Sequence, residues 1–232
     1  MDGLFNLPIK TKLNSMEKFN IKKEAVLWLL CLVPVVYLLL NWANAPEVVP
    51  THFNINGEVD NTGSKWNLLI TPVANLIVYL LLLAIPYLNP KRIATMGSNF
   101  YKLRLAIAAL LCAISLLVIN ATLTGRLAGD GKWLSVILFL FFAVLGNFLI
   151  SVKPNWFLGI RTPWTLSNDN VWKRTHLIGG RIWFFGGLAG FVLSLFLNPQ
   201  ASVILLLVFT LGSSFSMIVY SFLLYKQESK HS

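Results

Sequence analysis

Six long apolar segments dominate the hydrophobic pattern of this 232-residue chain. None of them contains Asp, Glu, Lys, Arg or His, and all are continuous apolar runs rather than alternating ones. An α-helix of about 17–25 apolar residues spans a bilayer, and backbone within lipid must be helical or part of a closed barrel. The pattern therefore predicts an all-α, polytopic membrane protein of about six transmembrane helices, at residues 25–41, 67–88, 105–124, 133–151, 182–198 and 201–225.

Composition and charge agree with this prediction. Hydrophobic residues make up 56% of the chain and charged residues 12%, whereas a soluble domain has about a quarter of its residues charged. With the N-terminus inside, all but three of the 19 Lys and Arg residues lie in inside segments, the three being Lys65, Arg126 and Lys132. The positive-inside rule then predicts that both termini are cytosolic. The net charge of +10 is therefore explained by topology, and the basic side chains are expected to contact anionic membrane lipid. No direct nucleic-acid partner is expected.

The connections between the apolar segments divide the chain into three parts. Residues 1–23 form a basic cytosolic segment, residues 24–104 an N-terminal membrane region, and residues 105–232 a second membrane module. Two connections are much longer than the others: an outer loop at residues 42–66 and an inner loop at residues 152–181. Because long loops on a rigid scaffold commonly carry binding groups, these two loops are the candidate functional regions.

The outer loop is dense in turn-forming and polar residues. Asn56 and Gly57 predict a tight turn between two short extended segments, and residues 60–63 predict a second turn. The polar side chains are expected to face outward, either as a ligand-binding cap or as a lid that only closes the bundle. No spacing here matches a known metal pattern, so no metal site is expected. The candidate toxin or ligand contacts are His52, Asn54, Asp60 and Lys65.

The inner loop combines Pro and Gly with aromatic residues that favour a membrane–water interface. Residues 167–170 offer helix N-caps. After them, Trp172, His176, Gly179 and Trp183 fall on one face of a helix that leads into the fifth span. The inner loop is therefore predicted to be a structured, partly amphipathic segment.

Arg161 is the candidate charge of the inner loop. It lies between Gly159 and Pro163, so we expect it to be held rigidly and to be partly shielded from water by nearby Trp side chains. Its planar group of donors suits either loop carbonyls, which it would pin, or a ligand. The full candidate set of this motif is Asn147, Asn155, Gly159, Arg161, Pro163, Trp164, Trp172 and His176.

The motifs of both loops resemble a known family. In the outer loop, Pro-x-His-Phe-Asn, followed by Gly, Asp and Gly-Ser-Lys, is similar to a domain of unknown function that commonly precedes SdpI modules. Residues 146–180 resemble the SdpI module itself through Gly-Asn, Lys-Pro-Asn, Gly-Ile-Arg-Thr-Pro-Trp-Thr-Leu and Val-Trp-x-x-Thr-His. The resemblance implies a multi-pass immunity protein of the bacterial plasma membrane that protects its producer against a secreted peptide toxin. Some such proteins also signal the toxin to a cytosolic transcriptional regulator.

Two other function classes stand beside immunity. A transporter or permease for small molecules or peptides usually carries ionisable residues in mid-membrane, where this chain offers only weaker polar groups such as Asn75, Ser115 and Asn120. An enzyme would need a nucleophile with a partnered base, and His52 and His176 are predicted on opposite sides of the membrane. We therefore expect no enzymatic activity and no cofactor, while the oligomeric state stays open.

Overall fold

The computed structural model of the protein describes residues 21–54, 57–88, 98–126, 131–155 and 158–230. Six helices in these ranges are long and apolar enough to span a membrane. The prediction of an all-α, polytopic membrane protein is therefore confirmed, and the side on which each terminus lies stays a prediction. Predictions for the basic segment up to residue 20 lie outside the described ranges, as do those for Asn56, Lys91, Arg92, Trp156 and Phe157.

The helices follow the six predicted apolar segments. The spanning helices are α1 (Ile21–Asn41), α2 (Ile70–Leu88), α3 (Ser98–Thr124), α4 (Lys132–Leu149), α6 (Asp169–Phe196) and α7 (Pro199–Glu228), and the short helix α5 (Pro163–Ser167) lies in the inner loop. Strands β1 (Val48–Phe53) and β2 (Val59–Ser64) lie in the outer loop, between the 3₁₀ helices Trp42–Asn44 and Lys65–Leu69.

The fifth spanning helix begins earlier than the uncharged segment does. Asn168 caps α6, because its side-chain oxygen accepts hydrogen bonds from the backbone N–H groups of Asn170 and Val171. Such a cap satisfies donors that the first helical turn cannot pair internally. The amphipathic segment of the inner loop and the fifth span are therefore one continuous helix.

The spanning helices pack as two groups of three. Helices α1, α2 and α3 contact one another, as do α4, α6 and α7, and α3 meets α4 between the groups. Cys31 and Cys112 are buried and free, as expected of small core residues. In the first group, Leu27 and Tyr79 pack with Cys31 and Ala108 in a buried cluster.

Glycines bring α4 and α6 into backbone contact. A Cβ atom on Gly187 would lie 2.5 Å from the backbone nitrogen of Ala143 and 2.8 Å from the carbonyl oxygen of Phe139. Gly190 lies against the Phe139 ring in the same way. Small residues at such crossings are the common route to close packing of membrane helices. Helix α6 is therefore fitted to neighbours within its own chain.

The outer loop contains a β-hairpin. Its strands β1 and β2 pair antiparallel, which confirms the two extended segments, and Gly57 in their connection has a φ of +79°. The second turn predicted at residues 60–63 is wrong, because these residues belong to β2. Asp60 is bonded across the pair to His52, so pairing with β1 prevails over the local turn that these side chains favour.

Candidate functional site

The exposed end of the β-hairpin carries two ordered polar pairs. The ring nitrogen Nδ1 of His52 lies 2.6 Å from Oδ1 of Asp60, and the two side chains are 68% and 43% exposed. The Asn54 amide donates to Oε2 of Glu58 at 2.8 Å, while the Glu58 backbone N–H donates to Oδ1 of Asn54. Exposed pairs of this kind contribute only about 0–1 kcal/mol to stability. Three predicted site residues, His52, Asn54 and Asp60, therefore lie together where a ligand can reach them.

Lys65 differs from the prediction that it faces outward. Its side chain is only 11% exposed, and its Nζ lies 3.5 Å from Oε1 of Glu47 and 4.9 Å from the centre of the Trp42 ring. The charge is accommodated because an aromatic face and a carboxylate both attract it. Lys65 therefore fastens the base of the hairpin to the end of α1.

The hairpin rests directly on the ends of three helices. Val49 of β1 is buried with Leu38 of α1, Ile119 of α3 and Leu68 of the 3₁₀ helix that precedes α2. Burying one such aliphatic side chain contributes about 1.5–3 kcal/mol. The hairpin is thus part of the core of the N-terminal membrane region, and its polar end is displayed from a fixed base.

In the inner loop, Asn155 binds main-chain groups on both sides of itself. Its side chain is buried; Nδ2 donates to the carbonyl oxygens of Lys153 at 2.9 Å and of Leu158 at 3.0 Å. Its Oδ1 accepts from the Leu158 N–H at 2.7 Å. An irregular buried loop must satisfy its backbone polar groups in this way. The role that the structure supports for Asn155 is to shape the loop.

His176 and Trp172 hold the loop to helix α6. The backbone N–H of Ile160 donates to Nε2 of His176 at 2.9 Å, and Nδ1 donates to the carbonyl oxygen of Trp172 at 2.8 Å. These partners define a neutral imidazole, because Nε2 must accept while Nδ1 carries the proton. The Trp172 ring stacks on His176 and its Nε1 donates to the carbonyl oxygen of Val152.

Only glycine fits at position 159. Its φ is +113°, and an added Cβ would collide with Nε2 of His176 and approach Cζ2 of Trp172 at 3.2 Å. Both the left-handed backbone region, which favours glycine, and the closeness of the two rings require the absence of a side chain. The predicted residues Gly159, Trp172 and His176 are therefore brought together as one packed unit.

The other end of the inner loop is fixed by hydroxyl groups that sequence reasoning missed. Thr162 and Thr165 form a capping box at the start of α5, with Pro163 in its first turn. Thr165 Oγ1 also donates to the carbonyl oxygen of Ile160 at 2.8 Å, and Thr162 Oγ1 lies 3.1 Å from Ser221 Oγ of α7. The signal was present, since Thr-Pro-Trp-Thr has the spacing of a reciprocal cap.

Trp164 packs at the same place. Its ring centre lies 5.0 Å from that of Phe222 on α7. Helix α5 is therefore joined to α7 by an aromatic contact as well as by the hydroxyl pair.

Arg161 is exposed, contrary to the prediction that Trp side chains shield it. Among the described residues it forms no hydrogen bond or ion pair, so it does not pin the loop to carbonyl groups. Those carbonyls are bound instead by Asn155, Thr165 and the backbone. Asn147, near the end of α4, is likewise exposed. A ligand contact stays the prediction for Arg161.

A buried ionic cluster at the other end of α1 was also missed. Arg104 donates from Nη1 to Oε1 of Glu24 at 2.9 Å and from Nη2 to Oε2 at 2.6 Å. Tyr79 donates its hydroxyl to the same carboxylate at 2.9 Å. Sequence reasoning counted Arg104 as a topology charge, although opposite charges at the same ends of two apolar segments could have indicated the pair.

Metal binding has no support in the described residues. No group of three or more His, Cys, Asp or Glu side chains there comes close enough to hold an ion. The exposed polar groups of the predicted site include His52 and Asp60 on the hairpin and Arg161 on the inner loop.

Comparison with known proteins places both loops in recognised segments. Residues 151–221, which contain the inner loop from Asn155 to His176, match the SdpI/YfhL protein family. Residues 29–76, which contain the whole hairpin, match a domain of unknown function, DUF1648. The second membrane module is therefore similar to the SdpI/YfhL family, and the N-terminal membrane region is similar to DUF1648.

An uncharacterized protein of Archaeoglobus fulgidus is 36% identical to this chain over 82 residues, which is 35% of the chain and 41% of that relative. No solved structure matches the chain. The match to the SdpI/YfhL family model and the six apolar helices support a multi-pass membrane protein, in a bacterial plasma membrane.

Proposed function

We propose that this protein gives its producer resistance to a secreted peptide toxin, and that the hairpin is the surface the toxin meets. The observation that carries the proposal is the pair of exposed, ordered contacts at the hairpin end, His52 with Asp60 and Asn54 with Glu58. They add little to stability, yet they stand on a buried base at Val49. Rigid presentation of polar groups lowers the entropy cost of binding a partner.

The inner loop is proposed to report the encounter to a cytosolic regulator. Its frame is fixed by Asn155, His176 and Thr165, while Arg161, Lys153 and Lys173 are exposed. A rigid loop with exposed basic side chains suits binding to an acidic protein surface. When that protein is not bound, the same side chains suit anionic lipid headgroups. Signalling of this kind needs no covalent chemistry.

A non-catalytic role is part of the proposal. Both ring nitrogens of His176 are occupied by backbone partners, which leaves no free base there. His52 lies in the hairpin, separated from the inner loop by the membrane-spanning helices. These placements support binding and signalling over hydrolysis.

The hairpin is tested by survival of a sensitive bacterium exposed to the secreted peptide fraction of a strain that kills it. His52→Ala and Asp60→Ala should each reduce protection, while Thr62→Ala, exposed on the same strand, should protect like the wild type. Loss of one polar contact worth about 1.4–2.8 kcal/mol weakens binding roughly tenfold to hundredfold. Survival is normalised to protein abundance in the membrane. Full protection by both hairpin variants would reduce the hairpin to a lid.

A further inference from the structure

The three helices of the N-terminal membrane region are joined at one end by the buried ionic cluster. The Glu24 carboxylate of α1 accepts hydrogen bonds from both terminal nitrogens of Arg104 on α3 and from the Tyr79 hydroxyl on α2. The Glu24 and Arg104 side chains are 9% and 8% exposed, and the guanidinium also lies over the Tyr79 ring. Removing one partner of a buried, hydrogen-bonded ion pair leaves an uncompensated charge. The cluster therefore fixes the three helices relative to one another.

One turn before Arg104, helix α3 meets the inner loop. Phe100 is 5% exposed and packs between Ile85 of α2 and Leu158 of the inner loop. Residues four apart lie on the same face of a helix, so Arg104 and Phe100 face the same side of α3, one held by Glu24 and the other packed on Leu158. The contact between Phe100 and Leu158 is thus a junction between the N-terminal region and the SdpI module.

Leu158 is itself tied to the centre of the inner loop. Its N–H and its carbonyl oxygen are both bonded to the Asn155 side chain. A displacement of Phe100 would remove the apolar support of Leu158 and strain this paired contact. At their opposite ends, α1 and α3 bury Val49 of the hairpin through Leu38 and Ile119. Helix α3 therefore contacts the hairpin at one end and the inner loop at the other.

We propose that the Phe100–Leu158 contact, positioned by the Glu24–Tyr79–Arg104 cluster, is the joint through which the N-terminal membrane region controls the order of the inner loop. Phe100 and Arg104 are positioning residues in this account. The Phe100–Leu158 contact couples the two groups of helices, in addition to the larger contact between α3 and α4. The inference is tested without any toxin, so its failure leaves the proposed function standing.

The test is hydrogen exchange of the purified full chain, measured by mass spectrometry on peptides that cover residues 153–162. Phe100→Ala and Arg104→Gln should each accelerate exchange there about tenfold, because the loop amides open more often when their support is lost. Lys102→Gln, an exposed charge on the same helix, is the matched control and should leave exchange unchanged. Peptides from α6 and α7 report whether each variant remains folded.

Two further variants separate a joint from general destabilisation. If the effect of Arg104 passes through Phe100, Arg104→Gln should add no further acceleration in a Phe100→Ala background. The reciprocal exchange of Glu24→Arg with Arg104→Glu should return the loop toward wild-type exchange. Where Arg104→Gln fails to fold, Leu158→Ala breaks the same contact from the loop side and should show the same acceleration. Unchanged loop exchange in folded Phe100→Ala or Leu158→Ala protein, or fully additive effects in the double variant, would overturn the proposal.

Discussion

Side chains of the inner loop act mainly on main-chain groups. Asn155, Thr165 and His176 bind the backbone of Lys153, Leu158 and Ile160. A segment without regular secondary structure depends on such bonds, because a buried N–H or carbonyl group left unpaired costs about 1–3 kcal/mol. The residues of the motif therefore divide into those that shape the loop and those, such as Arg161, that it displays.

Gly159 offers a direct test of this division. Gly159→Ala should lower the thermal unfolding temperature of the detergent-solubilised protein, since the new methyl group meets His176 as well as an unfavourable φ. Gly125→Ala is the matched control, because Gly125 has a φ of +71° and no atom of the described residues lies within 4 Å of an added Cβ. The control should lose only the backbone term of about 1–2 kcal/mol. Equal losses in both variants would show that the His176 contact is not what requires the glycine.

Arg161 is expected to behave as a displayed residue. Arg161→Gln should leave the unfolding temperature and membrane abundance unchanged, because the side chain is exposed. Toxin protection should nevertheless fall, and Arg161→Lys should also be impaired because it loses the planar fork of donors. Lys230→Gln, at an exposed basic position near the end of the chain, is the control for loss of charge alone and should protect like the wild type. Wild-type survival with both Arg161 variants would show an ordinary surface charge.

At the scale of elements, the closeness of α4 and α6 is set by glycine. Gly146, Gly180 and Gly187 all lie where an added Cβ would meet backbone atoms of the opposite helix. In lipid no hydrophobic effect drives helices together, so close van der Waals packing is a main source of helix association. The pairing of α4 with α6 is therefore the rigid part of the SdpI module.

Gly187→Ala should force α4 and α6 apart and reduce thermal stability. The control is Gly212→Ala on α7, where no atom in the described ranges lies within 4 Å of an added Cβ. Alanine also has a higher helix propensity than glycine. The control should be neutral or slightly stabilising in the same unfolding measurement. A Gly187→Ala protein as stable as the wild type would contradict the close packing described for α4 and α6.

Sequence patterns predicted the elements better than their tertiary partners. The six helices follow from uncharged length alone, and the hairpin from Asn56-Gly57. Residues 60–63 were assigned to a turn because their side chains favour local hydrogen bonds, which compete with strand pairing. The contact of Asp60 with His52 on β1 favours the strand over the turn. Local pattern carries no information about that partner.

Charges near helix ends were the main source of error. Lys65 was predicted to face outward and Arg104 was counted as an inside topology charge. Lys65 is instead buried against Trp42, and Arg104 against Glu24 and Tyr79. The partner of Arg104 lies 80 residues away in the chain, so its burial depends on helix packing that no local window shows. The exposure of Arg161 was missed for the same reason, because Asn155 and the threonines satisfy the loop carbonyls first.

At the scale of the whole molecule, the two ordered loops stand at opposite ends of one bundle. The hairpin caps α1 and α3, while the inner loop lies against α6, α7 and the start of α3. Helices between them span the membrane. This arrangement suits a protein that meets a partner on one side and answers on the other.

The orientation of the bundle is tested by labelling introduced cysteines with a membrane-impermeant maleimide. Thr62→Cys in the hairpin should react in intact cells, and Lys173→Cys at the start of α6 should react only after the membrane is opened, as the positive-inside rule requires. Both positions are exposed, and the buried native cysteines keep the background low. Reaction of Lys173→Cys but not Thr62→Cys in intact cells would reverse the orientation.

The central claim, resistance to a secreted peptide toxin, is tested most directly by survival of a sensitive bacterium with and without this chain. The two strains are exposed to graded doses of the secreted peptide fraction of a strain that kills the parent. The account predicts that cells with the protein survive doses that kill cells with the empty vector, and that His52→Ala combined with Asp60→Ala removes most of the gain. Equal killing of both strains, with the protein present in the membrane at normal abundance, would contradict it.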